Sequence, residues 1–344
     1  MATNSTISGG VTSVGTIAST VAGAVLQNTA LVSTNNSTKF SLIDDNNTDL
    51  SSGNIGLINQ SNEALILNTT TAATVFGGTG NNNVLVANDA KGTVLQAGTG
   101  AGQTLIGGAG GQLLGTSATG NGSATIYGGS GADTIVAAAG NNFLTGGAGN
   151  NEIIVVDGSN RILAAGSNDT VIAAGGNATI TSGAGNALIF TMGGNNSVVG
   201  GSGNTTIGAG AGNNTIFGGA GNSMIAGGAG NDLLVGSTSK TGTAVLGGFD
   251  GDDTIIGGVG NDTLFGGNGN DIFVFSTVFG GGKHIIGDFK AGADLIAVQG
   301  YGLTAAQVAA RVTVTGGSSV IALSDGTQIT VAGVTGLTSS NFAV

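Results

Sequence analysis

The sequence predicts an all-β protein built as a parallel β-solenoid. Three observations carry that reading: an uninterrupted nine-residue period, a very high glycine content, and enough apolar residues to form a core. From Thr119 to Val235 thirteen nine-residue units follow one another without insertion. Glycine accounts for 70 of 344 residues, and proline, cysteine and tryptophan are absent. Hydrophobic residues make up 40% and charged residues 7%. Disordered chains show the opposite balance, low hydrophobicity with high charge.

Each unit reads as a tight turn followed by a short strand. Position 8 is aliphatic in every unit, from Ile126 and Ile135 through to Ile225 and Leu234. Position 4 is glycine in twelve of the thirteen, with Ser167 the exception, and position 5 is asparagine in ten. Glycine supplies positive φ angles and lets successive turns stack closely. The position-8 residue is expected to point into a narrow core while its strand neighbours point out. Two nine-residue units then make one coil, so equivalent positions of successive coils lie above one another at about 4.8 Å. Each coil touches only its neighbours.

Stacking turns the position-5 asparagines into columns. Asn150, Asn168, Asn186, Asn204 and Asn222 fall on one side, and Asn177, Asn195, Asn213 and Asn231 on the other. Two readings fit them. Asparagine tolerates the left-handed conformation of a sharp turn, and stacked amides can hydrogen-bond along a column.

The charge is uneven. There are 18 acids and 7 bases, a net −11. Residues 236–344 hold Asp250, Asp252, Asp253, Asp262, Asp271, Asp288, Asp294 and Asp325, and no base lies between residues 250 and 271. Such a cluster either repels itself as a solvated acidic patch or holds a cation. A surface this poor in Lys and Arg argues against nucleic acid as a partner and against an anionic membrane surface. The sequence has no apolar run long enough to span a bilayer, so no membrane insertion is expected. With one histidine and no cysteine, the usual zinc sites are excluded, and the redox compartment cannot be read. His284 therefore reads as a structural or surface residue. "IDDNNTDL", with Asp45, Asn47 and Asp49, alternates like a calcium loop but lacks the following Gly and distal Glu, so a solvated turn is the simpler reading.

Position 6 raises the main question. In "GAGNNTIFGGAGNSMIAGGAGNDLLVG" it reads Asn214, Ser223 and Asp232, while the frame around it never changes. Downstream, in "GGFDGDDTIIGGVGNDTLFGGNGNDIFVF" (247–275), two units fit G-G-x-G-x-D-x-U-x without error: 257–265 and 266–274. This stretch closely resembles the calcium-binding nonapeptides of the RTX (repeats-in-toxin, hemolysin-type) family. The resemblance implies a right-handed β-roll with Ca²⁺ held between turns one full coil apart, each ion sharing two aspartates. Ca²⁺ seeks six to eight oxygens from carboxylates and backbone carbonyls. Applied here, Asp253 and Asp271 flank one site, and Asp232 stacks beneath Asp253 if the irregular half-coil "GSTSKTGTAVL" fills one slot. Asp262 faces the other side with the Gly258 and Gly260 carbonyls, and Gly267 and Gly269 serve the next turn. Asp250 and Asp252 lie in a unit with one extra residue. In the middle of the chain Asp133 and Asp169 are separated by Asn151, so neither has an acidic partner, and neutral turns there are expected to stack without metal.

The tail, "HIIGDFKAGADLIAVQG" and "DGTQITVAGVTGLTSSNFAV", resembles the flank that follows the repeats in RTX proteins exported by type I secretion. That route agrees with an N-terminus, "MATNSTISGG", that lacks the features of a secretory signal peptide. The expected organisation is a β-rich N-terminal cap or assembly segment (1–74), irregular coils (75–118), and a regular solenoid largely without Asp (119–235). Calcium-binding repeats (236–274) and a C-terminal β-rich cap with the secretion signal (275–344) follow; one short helix is expected at "TAAQVAARV". Enzymatic RTX proteins carry their activity in a separate upstream domain, and the short segment ahead of the coils leaves little room for one, so no enzyme is expected. The expectation is a secreted, extracellular or cell-surface structural protein. It would fold with Ca²⁺ and assemble with copies of itself, head-to-tail or laterally, into a filament or surface layer. Type I secretion machinery and a cell-surface polysaccharide are its further partners. The alternative is a monomeric solenoid serving as an adhesin or as an ice- or carbohydrate-binding module.

Overall fold

The computed structural model of the protein describes residues 6–7, 30–32, 40–43, 55–58, 61–62, 64–67, 74–87, 92–117 and 122–344. Asp45, Asn47 and Asp49 lie outside them, as does most of the 1–74 segment. The chain divides into two compact units, Met1–Asp169 and Thr170–Val344. Both are built of short strands paired in parallel with their equivalents one coil away, a parallel β-solenoid.

In the first unit one sheet stacks Ala64–Leu67, Val84–Ala87, Gln103–Ile106, Ala124–Tyr127, Phe143–Thr145 and Arg161–Ala164. The other stacks Ile55–Ile58, Thr74–Gly77, Val94–Gln96, Leu113–Gly115, Thr134–Ala137 and Glu152–Val155. Thr134 pairs with Glu152, the regular two-unit spacing. Val84 pairs with Thr104 and Leu113 with Thr134, so the coils between them are longer. The looser upstream period is therefore a matter of longer turns. Strand length is set by the width of the core, so extra residues go where the chain is free to bulge. Parallel stacking already begins at Ile55–Ile58, upstream of residue 75. Ahead of it Ala30–Val32 pairs antiparallel with both Ile55–Ile58 and Phe40–Ile43.

Every position-8 residue from Ile126 to Leu234 is buried. The expectation of a single inward residue per strand needs correction, because three alternate residues turn inward. Asp133, Ile135 and Ala137 are all buried, as are Asn151, Ile153 and Val155. Strand alternation places positions 6, 8 and the first residue of the next unit on one face. Position 6 thus lies in an interior corner.

The asparagine columns form ladders. Asn195, Asn213 and Asn231 each donate a backbone N–H to the side-chain oxygen of the asparagine one coil earlier, at 2.8, 2.8 and 3.0 Å. Asn204 and Asn222 do the same on the other side, at 3.0 and 3.2 Å. The bonds run mainly from backbone to side chain; an amide-to-amide bond joins Asn168 to Asn150 at 3.2 Å. Left-handed turns do not explain these residues. Among the described residues the non-glycine positive φ angles belong to Asn62, Asn82 and Phe249. A turn N–H without a strand partner needs an acceptor, and the column supplies one.

In the second unit the half-coil fills one slot. Ser223 pairs with Ala244 and Leu233 with Thr254 across this lengthened coil, and the regular spacing resumes where Thr254 pairs with Ile272. The C-terminal end is capped. Gln328–Val331 lies parallel on Lys283–Ile286 and continues antiparallel through Ser318–Ala322 to Val312–Thr315. Phe342–Ala343 covers Leu295–Gln299 on the other sheet. The expected helix is Ala305–Ala309, opened by a Thr304–Gln307 capping box and anchored by buried Val308. Among the described residues no helix is long and apolar enough to cross a membrane.

Since Ile216 is wholly buried in this narrow core, Ile216→Ala should lower stability by about 2–5 kcal/mol. Met224→Ala on the exposed face should change it by less than about 0.5 kcal/mol. Denaturant titration with and without calcium measures both.

Candidate metal centre

The interior corners decide where a cation belongs. In one column of the second unit, each position-6 backbone N–H donates to the position-6 side chain of the next coil. The chain of bonds runs from Ala178 to Asn196 (2.8 Å), to Asn214 (3.1 Å) and to Asp232 (2.6 Å). It continues to Asp253 (2.8 Å), Asp271 (3.0 Å) and Asp294 (3.1 Å). Asparagine and aspartate fill this acceptor role equally well through Oδ1.

They differ at the second side-chain atom. Asn196 Nδ2 donates to Gly193 O and Gly194 O, at 3.1 and 2.8 Å, and Asn214 Nδ2 donates to Gly212 O at 2.8 Å. The equivalent Oδ2 atoms of Asp232, Asp253 and Asp271 are buried without a hydrogen-bond partner. They face further acceptors. A Cβ added to Gly248 would collide with Asp253 Oδ2 and stand 2.6 Å from Gly266 O of the next coil; one on Gly227 would collide with Asp232 Oδ2 and stand 3.0 Å from Gly248 O. An asparagine corner supplies its own donors, whereas an aspartate corner gathers carboxylate and carbonyl oxygens alone. These donors suit a hard cation such as Ca²⁺. Among the described residues no three His, Cys, Asp or Glu side chains converge, so backbone carbonyls would supply much of the coordination.

The electrostatics agree. Burial pushes Asp253 up to about 7; the Asp232 N–H partly offsets this, and the charges of Asp232, Asp271 and Asp252 add to it. Burial also raises Asp232 and Asp271. Buried carboxylates without counter-charge hold their protons more tightly. The acidic cluster is therefore not a solvated patch at Asp232, Asp253, Asp262 and Asp271, all of which are buried.

The other column ends differently. Asp262 Oδ1 accepts the Ala244 N–H at 2.7 Å, but its Oδ2 lies 3.2 Å from His284 Nδ1. The imidazole thus stands against the second oxygen of Asp262. His284 Nε2 sits 2.9 Å from Gly281 O. The buried imidazole stands in the corner beside Gly257, so His284 is structural rather than a surface residue.

Of the remaining sequence-derived candidates, Asp250 and Asp252 are exposed and lie outside the buried column. Asp250 accepts from Asn268 Nδ2 at 2.8 Å, and Asp252 accepts the Asn270 N–H at 2.8 Å. Gly258, Gly260, Gly267 and Gly269 sit where a Cβ would strike the carbonyls of Ser237, Gly242, Phe249 and Gly251 in the coil before. Three residues at the end of the column were not among the ligands expected from the sequence. Asp294 closes the ladder, its Oδ2 taking the Lys290 N–H at 2.8 Å. Asp288 accepts the Gly266 and Gly267 N–H groups, both at 2.9 Å, and the Lys290 ammonium bonds Gly267 O. Asp294 follows Asp271 across a longer coil with no glycine motif before it, so the regular spacing rule misses it. The signal was "KAGAD", a turn ending in Asp just before an apolar strand.

Fold and corners together define a cation-binding parallel β-solenoid. A sequence profile of the RTX calcium-binding nonapeptide repeat, in four copies, matches residues 119–153, 154–189, 172–207, 208–238 and 247–276. The chain carries RTX repeats, and calcium is their cofactor. No curated protein matches the chain. Among solved structures, the crystal structure of extracellular lipase LipA from Serratia marcescens matches at 18% identity with a TM-score of 0.24. The match covers 56% of this chain and 40% of that one.

Asp253→Asn puts a donor where Oδ2 now meets only acceptors. It should reduce the bound calcium by at least one ion and raise the melting temperature in chelator; calorimetric titration and thermal melts read the two effects. In chelator the wild-type corner should also depend on pH. The folded Asp253 value, about 7, exceeds the ordinary 3.8. Its stabilising contribution is therefore present below about pH 4 and is lost as pH rises through 7. With calcium bound the sign reverses, because protons displace the metal. Melting temperatures across that range, with and without calcium, check both slopes.

Proposed function

We propose that this is a secreted structural protein that completes its fold with calcium outside the cell and associates laterally with copies of itself. An apolar strip on the outer sheet face of the second unit carries this reading. Phe190, Met224, Val245, Phe249, Phe265 and Ile285 are each 40–57% exposed, and five of them, all but Ile285, line a groove of about 550 Å³. The phenyl rings lie over glycines: Phe190 beside Gly208, Phe249 beside Gly247 and Phe265 beside Gly287. Phe249 takes this place at φ 81°, a conformation that costs a bulky residue about 1–3 kcal/mol. A contiguous apolar surface of this kind marks an interaction site.

Lateral contact suits the molecule better than head-to-tail growth at the C-terminal end, where the cap hairpin covers the stacked edge. Repeated lateral contacts build a sheet or bundle of solenoids, the surface-layer form. Export by type I secretion fits the RTX repeats and the C-terminal flank. The aspartate column then holds its charge apart in low calcium and closes around the ion after export. The reading is non-enzymatic, with Ca²⁺ bound at Asp232, Asp253 and Asp271 and the adjoining glycine carbonyls. A cell-surface polysaccharide is the proposed anchor.

Phe249→Gly removes the ring and relieves its backbone. With calcium, the wild type should form ordered assemblies in electron micrographs, and F249G combined with Phe265→Ser should stay monodisperse while binding the same amount of calcium. Monodisperse wild-type particles in both calcium and chelator would sink the proposal and favour the monomeric binding module, with the same groove as its ligand site.

A further inference from the structure

The outer sheet face of the first unit carries a cluster that neither the corners nor the apolar strip accounts for. Across the thirteen nine-residue units, the outward position 7 holds a single aromatic residue, Phe143, and a single cation, Arg161. Stacking sets these two directly opposite one another on neighbouring strands. The guanidinium carbon of Arg161 stands 5.3 Å from the centre of the Phe143 ring. Tyr127, at the outward position 9 one coil earlier, meets that ring edge-on, with centroids 6.1 Å apart and planes at 65°. Tyr127 is 41% exposed, and Arg161 is exposed beside it.

The fold leaves these groups unused. Outward rings fill no core, and a cation over a ring at an exposed site adds little stability. Arg161 is the only base between residues 92 and 239. Among the described residues its guanidinium has neither an ion-pair partner nor a side-chain hydrogen bond. A planar fork of N–H donors therefore stays open, anchored on the phenyl ring. Thr125, opposite Phe143 on the next strand, and Thr145, opposite Tyr127, add hydroxyls at the flanks.

Rings, a carboxylate fork and hydroxyls on one flat strip match a sugar acid. The C–H groups of a sugar face carry slight positive charge and pack on the negative face of an aromatic ring. A carboxylate on the same sugar pairs bidentately with a guanidinium. A run of phosphates would need many cations, and the strip has one.

We infer that Tyr127, Phe143 and Arg161 bind an acidic polysaccharide whose sugars carry uronate carboxylates. The inference rests on the reading above that a cell-surface polysaccharide anchors the protein, and gives that contact its place and its charge. The chain carries a net −11, so most of its surface repels such a polymer and the contact is confined to the cation. A single molecule binds weakly through one guanidinium. Lateral assembly repeats the strip along one polymer, and avidity strengthens the hold by about 10²–10⁴-fold.

The chain has no tryptophan and two tyrosines, Tyr127 and Tyr301, so tyrosine emission reports the strip. Tyr301→Phe leaves Tyr127 as its only source. A hyaluronan oligosaccharide titrated into the full chain should change this emission saturably. Its methyl ester keeps the sugar faces but loses the charge, and should bind roughly tenfold more weakly. Arg161→Gln should weaken the acid roughly tenfold and leave the ester unchanged. Saturation-transfer NMR on the sugar protons reads the same affinities and extends them to Tyr127→Ser, which should weaken acid and ester together. Equal binding of acid and ester, or an unchanged affinity for the acid in Arg161→Gln, would overturn the acidic class. Polyglutamate binding as tightly as the glycan would reduce the strip to charge alone and overturn the sugar. Wild-type binding that survives in Tyr127→Ser would overturn the site while leaving the polysaccharide anchor standing. No binding of either form by the wild type would overturn both the site and an acidic anchor. Electron micrographs of the same preparation report lateral assembly separately. The wild-type comparison of acid with ester decides by itself if a variant fails to fold.

Discussion

Along the aspartate column of the second unit, the backbone N–H of each position-6 residue reaches into the side-chain oxygen of the same position one coil on, and the chemistry of the corners depends on that bond. It fixes the vertical register of the corners, where strand pairing has ended and the chain must turn. From Ala178 to Asp294 it recurs through seven consecutive coils with lengths from 2.6 to 3.1 Å. Because it uses only Oδ1, it leaves the second side-chain atom free to set the chemistry of the corner. Structure and metal dependence are thereby separated within a single residue. A nitrogen there closes the corner with hydrogen bonds, and an oxygen there opens it to a cation.

That separation explains why the frame of an acidic repeat persists where the acid is gone. At Asn214 the amide bonds a glycine carbonyl of its own turn, whereas at Asp232 and Asp253 the same place holds an unpaired oxygen. At the end of the second unit the protein supplies its own bases. The Asp262 corner receives the His284 imidazole, and beyond Asp271 the Lys290 ammonium takes the carbonyl of Gly267. Neutral coils, coils open to a cation and base-filled ends are three answers to one requirement: a corner lined with carbonyl oxygens must contain a donor or a positive charge.

Much of this could be read in the sequence, because the period is rigid. The solenoid, its position-8 core, the stacking of Asp232 beneath Asp253 across the half-coil, and the short helix in the cap all follow from spacing and turn chemistry. What escaped the reading did so for separate reasons. Asp294 and His284 reach their corners through coils of irregular length, where counting in eighteens loses the register. The inward direction of position 6 was also missed, since glycine-rich turns hide how far the strand alternation extends. Exposed Asp250 and Asp252 looked like members of the cluster because sequence proximity does not separate the two sides of a corner. The apolar strip arises from residues one coil apart, such as Val245 and Phe265, whose adjacency exists only after stacking.

A codon for asparagine differs from one for aspartate by a single base. In this fold that exchange touches one atom of one corner and leaves the register bond intact. Each coil contacts only its neighbours, so the consequence stays local. The number of corners open to a cation can therefore drift up or down by point substitution, without rebuilding the core. How much of such a solenoid answers to a cation is a quantity that selection can adjust in small steps.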